Sequence, residues 1–595
     1  MVKARIAALV EAALDRLEAD GLLPRQSRPP AQLDAPKNPA HGDFACNAAM
    51  VLAKQHAQAT GLAKPDPRGL AQAIVARIED PEKLLAGVAI AGPGFLNLKL
   101  APDVWHRALK AVEEQGARFG HSDAGGGVRT MVEFVSANPT GPMHVGHGRG
   151  AVTGDTVASL LEWAGWKVTR EFYINDAGGQ VFRLAHAVLS RATDLVPDAP
   201  RVPLDPDDYQ GEYIKDIARD WLETLDDPRA ALQRPFAELR EPLRRFATLW
   251  VLEDLVKPDL DAIGIRFDNF YSEKTLHDRG AIAHAVEVLR RKGVLAEEVL
   301  PPPQGADPHD YVAAEARPLL VMKTTRFGDD RDRPLFKTTG EPTYFAADVA
   351  YHFDKLERGF KRLINVWGAD HGGYVSRMKA AVAAMGGQLE IIILQLVTLL
   401  KDGQPFRMSK RAANYVTLRE LLDEAGPDAT RFFFLQRRGD MAFDFDVALA
   451  RKNTADNPVF YVQYGHARCA AILRKAAEAG VPAPRFDNES ISALQLPEEI
   501  DLVKRVLAFP ELVAQAALQL EPHRIVFYLQ ETIAQFHSYY TKYKKTERVI
   551  GPDPKKTAAR LYLVWSVKQT LHNALTLLGV SAPERMDAAE AEPES

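Results

Sequence analysis

Two histidines three residues apart, His144 and His147, sit inside the glycine-rich run NPTGPMHVGHGRG, residues 138–150. On a helix that spacing puts both imidazoles on one face, so a metal, a dinucleotide or a phosphate anhydride could be the ligand. A zinc site would call for HExxH or a nearby third ligand, and the surrounding sequence has neither. A dinucleotide loop would call for G-x-G-x-x-G, whereas Gly146, Gly148 and Gly150 alternate, with no clear acidic ribose partner downstream. An anion held at a helix start suits both residue types. Backbone N–H groups and the helix dipole favour negative charge there. Gly146 and Gly148 would let a triphosphate approach the backbone, and the imidazoles would donate to phosphoryl oxygens as charge builds. Taken alone, the motif also admits glycines that only permit close helix packing and histidines that face water.

The elements around the motif suit a nucleotide fold. TMVEFVSA, just before it, reads as a strand, and residues from about 145 to 164 read as a helix carrying Val152, Val157, Leu160 and Leu161. Strand, tight glycine turn and helix make the first half of a nucleotide-binding βα unit. Upstream, HSDAGGGVR (121–129) reads as a flexible connector. Downstream, αβ alternation continues through KRLINVWGADH (361–371) to the apolar run LEIIILQLVTLL (389–400), which reads as mostly buried strand, and then to the polar loop KDGQPFRMSKR. The proline- and aspartate-rich segments at 196–213 and 301–310 read as loops or insertions. The predicted fold is multidomain: an N-terminal α+β domain at 1–120, an α/β Rossmann-like parallel-sheet catalytic core with insertions at 121–454, and an all-α helical bundle at 455–595 ending in a disordered acidic tail.

Bulk properties set the outer limits. A chain of 595 residues exceeds one hydrophobic core, and 46% hydrophobic with 26% charged residues is a globular balance. The formal charge of -5 gives no global sign of nucleic acid, so an RNA partner has to be argued from local patches. Cys46 and Cys469 lie far apart and outside any CxxC spacing, which argues against a disulfide framework or cysteine zinc site and suits the cytoplasm. The first 21 residues form an amphipathic helical pattern rather than a signal peptide, and the most apolar run is too short to cross a bilayer. A monomer with no membrane association is the default expectation.

HVGH resembles the HIGH signature of class I aminoacyl-tRNA synthetases. RMSK at 407–410 resembles their KMSKS signature, with Arg407 in place of the first lysine and Arg411 in place of the final serine. The longer block EFVSANPTGPMHVGHGRGAVTGD (133–155) resembles the bacterial arginyl-tRNA synthetase signature, and FYINDAGGQ (172–180), YFAADVAYH (344–352) and WGADHGGY (367–374) are similar to further blocks of that family. HGDFACNAAM and AGPGFLNLKL resemble its additional N-terminal RNA-binding domain, and the helical C-terminus ending LLGVSAPERM resembles its anticodon-binding domain.

The resemblance implies ATP-dependent activation of L-arginine, with Mg2+ accompanying the nucleotide, then transfer to the terminal ribose of a cognate arginine tRNA. It implies catalytic roles for His144, His147 and Lys410, and ATP contacts from these with Gly146, Gly148, Met408 and Ser409. Lys410 would place a point charge on the departing pyrophosphate. A guanidinium is planar and always charged, so selecting it takes a carboxylate in fork geometry with an acceptor or aromatic beside it. Tyr344 and Asp348, four apart on one helix face, are implied to read the side chain, Glu133 and Asn138 the polar groups of the amino acid, and His371 borders the pocket. In the helical domain Tyr461, Tyr464, Tyr540 and Lys544 are candidate tRNA contacts, from tyrosines interleaved with basic residues. Activation is expected to depend on bound tRNA.

Overall fold

The computed structural model describes residues 2–24, 28–36, 38–299, 318–401, 403–405 and 415–586. Helix α1 (Val2–Ala19) buries Ile6, Val10, Ala13, Leu14 and Leu17, the stripe its sequence spells. In the same domain β1 (Leu33–Asp34), β2 (Phe44–Cys46), β3 (Leu85–Ala91) and β4 (Phe95–Leu100) form an antiparallel sheet of order β1-β2-β4-β3. Cys46 and Cys469 are both buried free thiols.

The catalytic core contributes β5 (Arg129–Glu133), β6 (Lys167–Ile174) and β7 (Asn269–Ser272). An antiparallel trio follows, β8 (Leu295–Glu298), β9 (Leu319–Met322) and β10 (Arg333–Pro334), and then β11 (Arg362–Gly368) and β12 (Gln388–Leu394). The main sheet is parallel, of order β12-β11-β5-β6-β7. The order reverses at β5, so the crevice between the loops after β5 and β11 is the topological switch point where such sheets bind ligands. Helix α2 (Val145–Trp163) follows β5, and α3 (Tyr344–Glu357) starts at a Thr343 cap whose hydroxyl accepts from the Ala346 N–H.

Three local expectations change. The strand after the connector ends at Glu133, and the link to α2 is an eleven-residue loop rather than a tight turn. In that loop Val135 and Ser136 take positive φ values of 66° and 41°. The apolar run at 389–400 splits at Gln395–Leu396 into β12 and β13 (Val397–Lys401); β13 leaves the main sheet to pair with β14 (Gln404–Pro405) and β15 (Phe443–Asp446). The connector 121–129 is pinned rather than flexible: the N–H groups of Ser122, Gly125 and Gly127 donate to the carbonyls of Trp163, Ala164 and Gly165 at the end of α2.

The short helix α4 (Pro427–Phe434) precedes β15; beyond β15 the described residues form helices and loops with no strand, chiefly α5 (Pro458–Glu478), α6 (Pro497–Gln519), α7 (His523–Tyr543) and α8 (Pro554–Leu578). Helix α8 is buried nearly all round, including the consecutive residues Leu561, Tyr562, Leu563 and Val564. One apolar cluster runs from Ile6 through Val157 to Leu575, so the three parts share a core.

Candidate active site

His144 is the N-cap of α2, and the cap is reciprocal. The His147 N–H donates to His144 Nδ1 at 3.2 Å, and the His144 N–H donates to His147 Nδ1 at 3.3 Å. The rings stack 3.6 Å apart, centroid to centroid, 15° from parallel. Since each Nδ1 accepts, each ring is neutral with its proton on Nε2. Burial lowers the pKa of both rings; for His147, burial and then the neighbouring His144 push it down to about 3. Gly146 permits the stack, since a Cβ there would lie 2.9 Å from His144 Cε1.

Both imidazoles open on a cavity of about 810 Å³ at the switch point. Its walls come from the C-terminal ends of strands: Val135 to Asn138 after β5, Asn175 after β6, Trp367 to His371 around the end of β11, and Leu394 to Leu399 beyond β12. Asn138 donates to Gln180 Oε1 at 2.7 Å, and His371 stands with its ring 6.0 Å from Trp367. The structure therefore brings His144, Gly146, His147, Asn138 and His371 together. Gly148 is elsewhere. A Cβ there would fall 2.6 Å from Leu418 Cδ1 and 3.3 Å from Phe434, so its bareness serves helix packing and not phosphate approach. Met408, Ser409 and Lys410 lie outside the described residues.

The expected arginine-reading residues are arranged beside this cavity. Glu133 does not line it: its carboxylate pairs with the fully buried Lys355 ammonium and accepts from Ser136 Oγ at 3.2 Å. Tyr344 opens α3 and is 83% exposed, so in this structure it closes no pocket. Asp348, one turn on, accepts from the Tyr374 hydroxyl at 2.7 Å, and the Tyr374 ring lies 6.1 Å from the cavity wall at Trp367. Burial, followed by the charge of Glu133, lifts its carboxyl up to about 6 against the opposing Tyr374 hydrogen bond.

Glu273, at the end of β7, is a residue the sequence reading missed. Burial, then Asp348 and Asp176, push its carboxyl up to about 7. Asp176 follows the cavity-lining Asn175 and is held by Ser272 Oγ at 2.7 Å and the Lys274 N–H at 2.9 Å. The charges of Asp348 and Asp176 both act on Glu273, so a cation arriving among the three would favour their ionised forms. Local sequence could not show it, because the three stand on separate elements. Val135 and Ser136 were missed for the opposite reason: a β-branched residue reads as strand, yet here the left-handed backbone turns Ser136 Oγ to accept from the Tyr173 N–H at 3.2 Å.

A second cavity, about 800 Å³, lies on the helical domain between α5, α7 and the last described residues. Tyr464, Arg468 and Tyr540 line it with Arg474, Lys475 and Arg585. The Arg468 guanidinium lies 4.9 Å from the Tyr464 ring centre and 5.9 Å from that of Tyr540. Tyr461 packs edge-on against His537 instead, at 5.1 Å. Lys544 is exposed just beyond α7 and does not line the cleft. Of the other residues in the tyrosine-lysine run, Tyr539, Lys542 and Tyr543 are engaged by Glu498 and Glu499 of α6.

A parallel sheet with a reciprocal histidine cap at its switch point, joined to a helical domain, is an arrangement that suits a class I aminoacyl-tRNA synthetase. Family comparison agrees: residues 114–222 match the class I (R) tRNA synthetase catalytic domain, 4–100 the arginyl tRNA synthetase N-terminal domain, and 462–586 the DALR anticodon binding domain. The chain belongs to the arginyl-tRNA synthetase family. It is 49% identical to an arginine–tRNA ligase of Anaeromyxobacter dehalogenans (strain 2CP-C) over 99% of both chains, and 45% identical to one of Desulfosudis oleivorans over 98% of this chain and 100% of that one. Among solved structures, a putative arginyl-tRNA synthetase from Campylobacter jejuni superposes with TM-score 0.69 at 30% identity, covering 82% of this chain and 100% of that one. The Thermus thermophilus arginyl-tRNA synthetase shares the fold at TM-score 0.74 and 22% identity, covering 98% of this chain and 100% of that one. No described helix is long and apolar enough to cross a membrane.

Proposed function

We infer that the protein charges tRNA with arginine in two steps. The arginine carboxylate attacks the ATP α-phosphorus, forming arginyl-adenylate and releasing pyrophosphate; a hydroxyl of the terminal ribose then takes the arginyl group and AMP leaves. The observation that carries this reading is the reciprocal histidine cap facing a cavity beside a cluster of carboxylates. The two imidazoles present Nε2–H donors fixed in direction, which stabilise charge on the transferring phosphoryl group without reorganising. The two steps need no side chain as a covalent nucleophile.

ATP enters as its magnesium complex. Asp370 is the one carboxylate among the described residues lining the cavity, which suits an ion carried on the phosphates rather than held by the protein. Lys410 is assigned to the departing pyrophosphate by the RMSK resemblance. Asp348 and Glu273 read the guanidinium, with Tyr344 closing over it once substrate is bound, and Glu133 acts through Ser136 and Lys355. Asn138 and His371 bound the amino-acid end of the cavity. Tyr464, Arg468 and Tyr540 offer two ring faces and a cation for an unstacked base of the tRNA.

The test is an aminoacylation assay offering each of the twenty amino acids with bulk tRNA and ATP. Arginine alone should be esterified, with one pyrophosphate released per charged tRNA. Charging of another amino acid, or pyrophosphate release without charging, would overturn the assignment.

A further inference from the structure

Hydrogen bonds and two helices, α4 and α2, connect the aromatic cleft to the histidine cap. Residues 579–586 leave α8 at Gly579, whose φ of 67° turns the chain, and end at Arg585 and Met586 in the wall of the aromatic cleft. Between these points the strap is fastened at Ser581, Pro583 and Glu584. The Ser581 N–H donates to Asp428 Oδ1 at 3.0 Å, and its hydroxyl bonds Asp428 Oδ2. Gln463 Nε2 donates to Asp428 Oδ2 at 2.8 Å and to the Ser581 carbonyl at 3.0 Å. His466 Nδ1 donates to the Pro583 carbonyl at 2.9 Å, and Arg474 to the Glu584 carbonyl at 2.8 Å. Gln463, His466 and Arg474 are on α5, the helix that supplies Tyr464 and Arg468 to the cleft.

Asp428 opens α4, and one turn later the same helix carries Arg431, which is 2% exposed. The Arg431 guanidinium donates to the Leu578 carbonyl at 2.7 Å, to the Ile263 carbonyl at 3.1 Å and to Asp155 Oδ2 at 2.6 Å. Asp155 is on α2, eight residues or roughly 12 Å beyond His147. Gly579 leaves room for this junction, because a Cβ there would stand 2.5 Å from the Arg431 guanidinium carbon. A buried guanidinium bonded to three elements resists independent movement of any one, since a lost acceptor would leave the cation unsatisfied in a low dielectric.

We propose that the strap 579–586 and Arg431 couple occupation of the aromatic-cationic cleft to the placement of the histidine-capped helix α2, so that Arg431 is a positioning residue for the reaction. The proposal rests on the reading of that cleft as a site for a tRNA base. An entering base displaces Arg585 and Met586; the strap passes the displacement through Asp428 to α4, and Arg431 passes it to Asp155 and the start of α2.

The test uses the full-length chain. With wild-type protein, replacing the anticodon bases of the arginine tRNA should lower kcat as well as raise KM. With Asp428→Ala, which removes all the strap's acceptors on α4, tRNA affinity by filter binding should stay within about threefold. kcat should fall about tenfold and no longer respond to the anticodon. Ser581→Ala should show the same pattern more weakly, and serves if Asp428→Ala fails to fold. Wild-type kcat in both variants, or a loss that leaves the anticodon dependence of kcat intact, would overturn the coupling. Failure of the cleft reading shows separately, as Tyr464→Ala protein that binds tRNA with unchanged affinity.

Discussion

His144 and His147 cap one another: the Nδ1 of each accepts the backbone N–H of the other, at 3.2 and 3.3 Å, with the rings stacked. One arrangement thus starts the helix and fixes the tautomer of both catalytic candidates. His147→Ala should lower kcat by about 10²- to 10³-fold. His144→Asn separates the two duties, since its Oδ1 can still accept from the His147 N–H while the Nε2 donor is gone. It should lose turnover comparably and keep its melting temperature within a few degrees; unchanged turnover would reduce the pair to a helix cap. Because His147 titrates near 3 when folded and near 6.5 otherwise, its contribution to stability is complete above 6.5 and is lost as pH falls toward 3. kcat should therefore show no step from these imidazoles between pH 6.5 and 8.

Gly146 and Gly148 should respond oppositely to a methyl group. Gly148→Ala presses on Leu418 and Phe434, so it should cost about 1 to 3 kcal/mol in denaturant unfolding with near-normal kcat. Gly146→Ala presses on the His144 ring, so kcat should fall at least about tenfold with little change in stability. The reverse pattern would mean that the ligand and packing faces of α2 have been exchanged.

Asp348→Asn should forfeit arginine recognition, because the guanidinium would meet a neutral amide where a carboxylate had balanced it. The expected loss is about 3 to 5 kcal/mol in kcat/KM for arginine, with the KM for ATP nearly unchanged. Normal arginine kinetics in this variant would place the guanidinium site elsewhere.

Arginine binding should be pH-linked through the same cluster. Asp348 and Glu273 titrate near 6 and near 7 in the free protein, and a bound guanidinium favours their ionised forms. Binding then releases protons, and affinity should rise between pH 5 and 7, by about tenfold per unit for each carboxylate still to be ionised, and level off above. The folded pKa values of both carboxyls are raised from 3.8 and 4.5, so stability falls as pH rises from about 4 and levels off past about 6 for Asp348 and about 7 for Glu273; a bound guanidinium offsets this loss, so arginine should raise the melting temperature more at pH 8 than at pH 5. Calorimetry in buffers of different ionisation enthalpy measures the released protons; affinity independent of pH over this range would refute the pairing.

Activation should require tRNA. Arginine-dependent exchange of labelled pyrophosphate into ATP is expected with the full-length protein plus cognate tRNA and not with arginine and ATP alone. Removing the helical domain would take away α8, which belongs to the shared core and supplies an acceptor to Arg431, so a point substitution is the cleaner test. Arg468→Ala keeps that core and should reduce the stimulation by tRNA. Robust exchange without tRNA would remove the dependence and leave the synthetase assignment standing.

What the sequence determined by itself was whatever its local physics could encode. The stripe of α1, the helix behind HVGH and the all-helical region after 455 follow from residue periodicity, and they form as read. The placing of His144, Gly146 and His147 at a helix start likewise follows from short-range spacing. Tertiary structure alone decided what depends on distant partners. Gly148 packs a helix rather than greeting a phosphate because Leu418 and Phe434 arrive there from some 270 residues away. The apolar run at 389–400 breaks because its second half pairs with Phe443–Asp446 in another sheet. Glu273 joins a group of interacting carboxylates only where β7, the loop after β6 and α3 converge, since its raised pKa comes from burial and from Asp348 and Asp176 on other elements. Periodicity and capping act over a few residues of chain, whereas desolvation and charge pairing act through space.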